Sequence, residues 1–206
     1  MPLATDRSYL RLQYADGEKL RIRQEAHRLY SERQDSFMEW VLDRLDPQPG
    51  ECIVDVGSGQ GAYHPLLARR GARIVAVDAS LGMLAEAAGE ARRNALSMSA
   101  VQASAERLPL ADACCDRLMA NHMLYHVPDK IAALREMERV VRPGGRLVLT
   151  TNSRDNGARM AQIHAQAAVA VGLRADTRSP IADFTLESGA PLVRSVFADV
   201  ETGDAG

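Results

Sequence analysis

The pattern of apolar and polar residues divides the chain into short apolar runs and longer segments whose apolar residues recur at helical spacing. The short runs are bounded by glycine, proline or aspartate and predict buried strands, whereas the helical spacing predicts amphipathic helices. The predicted strands cover residues 52–56, 72–77, 97–102, 116–120 and 146–151. The predicted helices cover residues 19–45, 62–70, 80–93, 129–141 and 158–173. Because strands and helices alternate with short connections, we predict an α/β fold, a parallel sheet with helices on both faces.

Two segments fall outside this alternation. Residues 1–46 precede the first predicted strand and contain the longest predicted helix, which indicates an N-terminal cap. Residues 152–190 follow the fifth strand and include a polar stretch marked by proline and glycine. An insertion at the carboxyl ends of strands is where a lid over a site would lie. We therefore predict one domain over residues 1–206, with a cap and a lid insertion.

Composition and charge narrow the class of partner. The 206 residues are 46% hydrophobic, and 25 basic residues stand against 27 acidic ones, for a net charge of −2. Because no basic segment is available to neutralise phosphates, we expect no nucleic-acid partner. No apolar run reaches the roughly 18 residues of a membrane span, and the first residues lack the pattern of a signal peptide. We expect no membrane partner and a cytoplasmic location, and the excess of arginine over lysine indicates a bacterial gene.

The cysteines are Cys52, Cys114 and Cys115. An odd number with two adjacent residues does not predict a disulfide framework, and the chain has no CxxC pair that would indicate zinc. We predict thiols that pack as small apolar side chains, and no metal site.

The most informative segment is the end of the first predicted strand, where Val54-Asp55-Val56 runs into Gly57-Ser58-Gly59-Gln60-Gly61. Glycine suits a backbone that turns sharply and lies against a ligand with no Cβ between them. Both a cofactor-binding loop and a tight strand-to-helix turn are compatible with this run of glycines. A dinucleotide loop has the spacing G-x-G-x-x-G, whereas this one has G-x-G-x-G after an acidic residue. Asp78 ends the second strand, where a carboxylate accepts hydrogen bonds from both ribose hydroxyls.

This loop resembles motif I of class I methyltransferases that depend on S-adenosylmethionine (SAM), in which the amino-acid half of SAM lies on the loop. Three further runs resemble the same family in chain order, between about residue 50 and residue 151. They are Asp78-Ala79-Ser80-Leu81-Gly82-Met83-Leu84 against D-x-S-x-x-M-L, Ser104-Ala105-Glu106-Arg107-Leu108-Pro109-Leu110 against D-A-E-x-L-P-F, and Val141-Arg142-Pro143-Gly144-Gly145-Arg146-Leu147 against L-x-P-G-G-x-L. The resemblance implies the Rossmann-like class I methyltransferase fold, with SAM as the cofactor.

The resemblance also implies which residues meet the cofactor. Met83 would pack against the adenine, although a methionine of the core fits as well. Ser104 stands where the family has an aspartate that takes the adenine amino group. Serine is shorter and neutral, so we expect a weaker or water-bridged contact. The complete predicted set of cofactor-binding residues is Asp55, Gly57, Ser58, Gly59, Asp78, Ala79, Met83, Ser104, Ala105 and Asn121.

Candidates for the acceptor side follow the fourth predicted strand, in the run from Asn121 to Asp129. In the family, the end of this strand faces the methyl group, and an H-x-P-D run is common there. His122, Tyr125 and His126 are the candidate catalytic residues, because imidazole takes up a proton near neutral pH. His126 equally fits a structural anchor for the turn before the helix at 129–141.

From these residues we predict methyl transfer from SAM to oxygen, nitrogen or carbon of a small molecule. One alternative is an RNA or protein methyltransferase, which the balanced charge disfavours. Another is a SAM-binding protein without transferase activity, which the serine at position 104 favours. A nicotinamide-dependent oxidoreductase is disfavoured by the spacing of the glycines.

The resemblance also bears on the C-terminal strands. The family sheet has seven strands in the order 3-2-1-4-5-7-6, and five are predicted up to residue 151. The run 192–200 predicts the end of a helix leading into a sixth strand, and the sequence leaves no room for a seventh. We therefore expect incomplete C-terminal strands. The edge of the fifth strand would then be exposed in a shortened chain, or covered by residues 190–202 or by a second subunit.

Overall fold

The computed structural model describes residues 5, 22, 25, 36–174 and 183–204. Within the helix predicted over 19–45, Ile22 and Glu25 are helical and helix α1 spans Phe37–Leu45. Most of the predicted cap and part of the predicted lid therefore lie outside the described residues. Ser36 begins α1, because its side chain accepts a hydrogen bond from the backbone N–H of Glu39.

Five parallel strands form one sheet in the order β3-β2-β1-β4-β5. The strands are β1 Cys52–Val56, β2 Arg73–Asp78, β3 Met98–Gln102, β4 Cys115–Asn121 and β5 Val141–Thr150. All five predicted strands are confirmed to within one or two residues, except at the start of β5. The order of the strands changes direction at β1, so the crevice between the carboxyl ends of β1 and β4 is the place where such sheets bind ligands.

The remaining helices lie between and after the strands. They are α2 His64–Arg69, α3 Leu81–Arg93, α4 Lys130–Val140, α5 Ala158–Ala170 and α6 Leu186–Arg194, with a 3₁₀ turn at Leu124–His126. Ser80 and Asp129 each accept a backbone hydrogen bond at the start of α3 and α4, which fixes where these helices begin. The 3₁₀ turn was not predicted, because one turn is too short for a periodic pattern.

The core lies on both faces of the sheet, as expected for a parallel sheet covered by helices. Ile53 of β1 packs on the face covered by α1 and α2, together with Leu42 and Leu67. Val54 and Val56 point to the opposite face, in the cluster that contains Leu134 and other residues of α4. Side chains alternate along a strand, so Asp55 shares the face of Ile53. An acidic side chain is thereby directed into the apolar layer beneath α2.

The C-terminal part departs from the prediction in two places. The segment 141–145, predicted as a turn, is part of β5 but pairs irregularly: Val141 lies opposite Cys115, and Arg146 opposite Arg117. The predicted sixth strand is wrong for the described residues, because α6 ends at Arg194 and 195–204 contains only turns, bends and irregular chain. Leu192, Val193, Val196 and Phe197 are instead partly buried against the core cluster on the face covered by α4, as are Leu147 and Leu149 of β5. Apolar burial therefore outweighs strand pairing there.

Among the described strands, β5 pairs with β4 alone, so its outer edge has no strand partner in 36–174 or 183–204. None of its residues is fully buried, whereas Leu118, Met119 and Ala120 of the neighbouring β4 are. The expectation that this edge would lack a further strand is confirmed within the described part of the chain.

Candidate functional site

The candidate site lies where the carboxyl ends of β1, β2 and β4 meet. The loop 57–61 leaves β1, Asp78 ends β2, and Asn121 ends β4. Residues that the sequence analysis placed in one site are thus brought to a single edge of the sheet. The parallel pairing of β1 with both β2 and β4 is what places them there.

The glycine loop is held by backbone hydrogen bonds to β2. The N–H groups of Gly57 and Ser58 both donate to the carbonyl of Val77, at 2.8 and 3.1 Å. Gly57, Gly59 and Gly61 have φ angles of 70°, 54° and 76°, a conformation that side chains with a Cβ adopt only with strain. At Gly57, moreover, a Cβ would lie 2.7 Å from the Cβ of Met123. The loop therefore requires glycine for its backbone conformation and for its contact with the segment after β4.

Asp78 joins the loop to the end of β2. One carboxylate oxygen accepts a hydrogen bond from the Gly59 N–H at 2.9 Å, and the other accepts one from the Ser80 N–H at 2.8 Å. Burial raises the pKa of Asp78 above its usual range, while hydrogen bonds from Ser80, Gly59 and Ala79 act in the opposite direction. A carboxylate has about four acceptor positions, so beside these three backbone donors Asp78 retains acceptor capacity for a ribose hydroxyl. Its predicted role toward a ribose remains compatible with these contacts.

Two buried polar atoms beside the loop have no hydrogen-bond partner in the described part of the chain: Ser58 Oγ and Asn121 Nδ2. Asn121 is otherwise fixed, because its side-chain oxygen accepts a hydrogen bond from the Thr150 hydroxyl at 3.0 Å. An unsatisfied buried polar group costs about 1–3 kcal/mol, so such atoms indicate a bound ligand or water. A hydroxyl and an amide donor suit the polar amino-acid end of a molecule such as SAM. The residues present therefore fit the cofactor that the sequence predicts.

The segment after β3 is positioned by polar contacts of its own. The Ser104 hydroxyl donates to Glu106 Oε2 at 3.0 Å, and Glu106 Oε1 accepts the Asp129 N–H at 2.8 Å. Ala105 is buried, with 7% of its surface exposed. The serine that replaces the family aspartate is thus paired with a carboxylate two residues away, a contact that sequence analysis did not anticipate.

Met83 and Ala79 take different positions. Met83 is 1% exposed on α3, which favours the alternative that it is a core residue. Ala79 follows Asp78 directly, and its carbonyl accepts a hydrogen bond from the Gln102 side chain at 3.2 Å. Both assignments as cofactor-binding residues remain predictions.

The three candidate catalytic residues are in different environments. His122 follows β4 directly and has a φ angle of 51°, a conformation in which strained residues at functional sites are often found. Its ring lies 5.7 Å from that of Phe37, centroid to centroid. Tyr125 is 9% exposed and part of the core, with its ring edge-on to His126 at 4.5 Å. Position and backbone strain therefore favour His122 over Tyr125 as the residue that meets an acceptor.

Sequence analysis missed one buried histidine. His64 is 2% exposed, and its Nε2 lies 3.1 Å from Oδ2 of Asp55, which is 3% exposed. Asp55 was predicted to bind the cofactor, but its carboxylate lies beneath the loop and contacts this histidine. The pKa of the nearby Tyr63 is raised, first by the burial of Tyr63 itself and second by the charge of Asp55. A strand aspartate followed nine residues later by a histidine at a helix start was the available signal.

Other kinds of site find no support in the described residues. No group of three or more histidine, cysteine or carboxylate side chains there could hold a metal ion. Among the helices of 36–174 and 183–204, none has the length and apolarity needed to cross a bilayer.

Comparison with known proteins agrees with this geometry. Residues 54–149 match the family model of a methyltransferase domain. A demethylmenaquinone methyltransferase from Beutenbergia cavernae is 43% identical over 109 residues, which are 53% of this chain and 44% of the relative. Methyltransferase GfsG from Streptomyces halstedii is 37% identical over 122 residues, 58% of this chain and 44% of the relative. The chain thus spans less than half the length of either relative.

Solved structures show the same fold. A SAM-dependent methyltransferase from Aquifex aeolicus superposes with a TM-score of 0.62 at 18% identity, over 78% of each chain. The [4+2]-cyclase SpnF has 30% identity and a TM-score of 0.53, over 61% of this chain and 44% of SpnF. The segment 54–149, which matches the family model, contains the glycine loop, the end of β2 and the end of β4. Residues 54–149 are thus similar to the methyltransferase domain family, and the five-stranded parallel sheet has the Rossmann-like class I fold.

Proposed function

We propose that this chain binds SAM at the carboxyl ends of β1, β2 and β4 and transfers its methyl group to a small-molecule acceptor. The observation that carries the proposal is the convergence of the glycine loop, the buried Asp78 carboxylate and the polar atoms of Ser58 and Asn121 that have no partner among the described residues. Asp78 would hold a ribose hydroxyl, and the loop with Asn121 would hold the amino-acid end. When bound, SAM supplies a methyl group on a positively charged sulfur, which is ready for displacement.

The chain's own residues would align the acceptor and keep water away from it. Methyl transfer needs alignment above all, and a base only if the acceptor must lose a proton. We propose His122, which directly follows β4, for that role, with His126 as the second candidate. His122 comes first because its backbone is strained and is held in that conformation by a hydrogen bond from its N–H to the Thr150 carbonyl at 3.0 Å.

The predicted lid contains a helix, α5, whose exposed apolar side chains could cover a small acceptor. Helix α5 follows β5 at the same edge of the sheet and has no buried residue. Met160 and Ile163 are 59% and 46% exposed there, and Gly157 precedes the helix with a φ angle of 76°. We propose that α5 covers the bound acceptor with this apolar surface, and that residues 1–46 form the cap. Replacing Met160 and Ile163 by serine should raise the KM for the acceptor while leaving the Kd for SAM unchanged.

The acceptor class follows from the named relatives. Because a relative that is 43% identical is a demethylmenaquinone methyltransferase, a hydroxylated aromatic ring of the quinol type is the first acceptor to test. The bacterial source of the relatives supports a bacterial origin for this chain, and we propose a cytoplasmic location for it. Nucleic acid is not proposed, since acidic residues slightly outnumber basic ones.

The test is titration calorimetry with S-adenosylhomocysteine (SAH), the product of SAM, followed by assay of SAH release with reduced demethylmenaquinone and other small phenols. Binding together with release that depends on an acceptor supports the proposal, and no binding of either SAM or SAH overturns it. The likeness to a cyclase favours a second candidate, a SAM-binding protein that transfers no methyl group. Tight binding without release on any acceptor would select that candidate.

A further inference from the structure

The buried contact between Asp55 and His64 is not part of the cofactor surface. The two side chains are 4% and 2% exposed, and Nε2 of His64 lies 3.1 Å from Oδ2 of Asp55. An ionised carboxylate can only accept hydrogen bonds, so the Nε2–H group of His64 is the donor in this contact. Removing a charged group and its partner from water costs free energy that their attraction only partly returns. A buried pair of this kind therefore needs a reason beyond stability.

The pair joins the two ends of the glycine loop. Asp55 is in β1, two residues before Gly57, and His64 is the first residue of α2. The chain leaves the sheet, forms the loop and returns to the same point nine residues later. Tyr63, at the N-cap position of α2, makes no side-chain capping bond, so the start of this helix is not fixed by the usual contact. The contact between Asp55 and His64 therefore positions the start of α2 relative to β1.

The imidazole also lies directly under the loop. A Cβ on Gly61 would come within 2.3 Å of Nδ1 of His64, so the ring packs against the Cα of this glycine. The backbone N–H of His64 donates to the carbonyl of Gly61 at 2.9 Å, and the N–H of Gly61 donates to the carbonyl of Ser58 at 2.9 Å. A chain of contacts thus leads from Asp55 through the imidazole to the backbone that carries Ser58 and Gly59.

We infer that His64, oriented by Asp55, is a positioning residue that holds the glycine loop in its cofactor-binding conformation without touching the cofactor. This inference rests on the proposed function for the identity of the ligand. A loop with three positive φ angles has many competing conformations, and a group that fixes it before binding removes that ordering cost from the affinity. The same reasoning assigns Asp55 a place behind the loop, in contrast to its predicted role as a cofactor ligand.

The experiment compares two replacements of His64. His64→Phe keeps a ring beneath Gly61 but cannot donate, whereas His64→Gln supplies an amide N–H of similar reach toward Asp55. We expect the Kd for SAH to rise by about tenfold or more in His64→Phe and by less than about threefold in His64→Gln. Leu134→Ala is the control, because Leu134 is fully buried on the opposite face of the sheet and its truncation lowers stability away from the loop.

Amide hydrogen exchange of the ligand-free protein gives a second measurement that does not depend on SAH. His64→Phe should accelerate exchange in residues 57–61, while His64→Gln and Leu134→Ala should leave the protection of this segment as in the unmodified protein. Wild-type affinity and protection in His64→Phe would overturn the inference. So would a loss of affinity in Leu134→Ala equal to that in His64→Phe, since general destabilisation would then explain both. If the unmodified protein binds no SAH, the proposed function fails, and the exchange data alone decide whether His64 orders the loop.

Discussion

Replacing Asp78 by asparagine tests the centre of the proposed site. The carboxylate accepts the Gly59 and Ser80 N–H groups at 2.9 and 2.8 Å, and it would accept a ribose hydroxyl in addition. Asparagine keeps the shape, but one of its two terminal atoms becomes an NH₂ group that can only donate. One backbone N–H then faces a donor, and one ribose hydroxyl loses its acceptor. At about 1–3 kcal/mol for the affected contacts to a charged group, we expect the Kd for SAH to rise roughly 5-fold to 150-fold.

The dependence of this affinity on pH gives an independent check. Because burial raises the pKa of Asp78, its carboxylate takes up a proton at a higher pH than an ordinary aspartate. SAH affinity should therefore be constant above that pKa and fall as the pH is lowered through it, and Asp78→Asn should lack this fall. Protonation of Asp78 does not explain a fall of affinity at low pH by unfolding the protein. Because the pKa of Asp78 is raised in the folded state, this residue stabilises the fold below its unfolded pKa. The contribution is lost as the pH rises through the folded pKa.

Calorimetry with SAH, at several pH values, measures both effects. Asp43→Asn serves as the matched control, because Asp43 is an exposed aspartate that accepts a hydrogen bond from Arg70, directly after the C-terminal end of α2. Its affinity and pH dependence should equal those of the unmodified protein. An unchanged Kd in Asp78→Asn, or a pH dependence that persists in this variant, would refute the assignment of Asp78 to the ribose.

Three further predictions concern the loop, the acceptor side and the thiols. Gly57→Ala should lower the Tm more than Gly144→Ala, because both positions have positive φ but only Gly57 would place its Cβ against Met123; equal losses in a thermal melt would contradict this. If His122 is the base, His122→Ala should lower kcat by about 100-fold with little change in the Kd for SAH, and by more than His126→Ala does; equal rates in both variants would leave catalysis to alignment alone. A disulfide reagent at pH 8 should label the exposed Cys114 first, since burial raises the pKa of Cys115 to about 12 and also raises that of Cys52; rapid labelling of Cys115 would show that its burial is wrong.

Local patterns were sufficient for most of the sheet. The run 52–56 is apolar apart from Asp55, ends at Gly57 and is the strand β1 to the residue, because burial on both faces leaves a nearly continuous apolar signal. The start of β5 was placed too late, since Pro143 and Gly144 predict a turn while the chain continues beside β4 with an irregular register. A sixth strand was expected after the helix end in 192–200, because the resemblance implies further strands, but Val196 and Phe197 pack against the core instead.

The sequence by itself determined the class of fold, the order of its elements and the glycine loop, because these follow from periodicity and from the conformations that single residue types allow. Only the tertiary structure decided which side chains meet. It paired Asp55 with His64, joined Ser104 to Glu106, buried Tyr125 and left Asn121 Nδ2 without a partner among the described residues. Such contacts depend on which strand faces which helix. A local sequence pattern does not indicate which distant residue a side chain will contact, because only folding brings the two together.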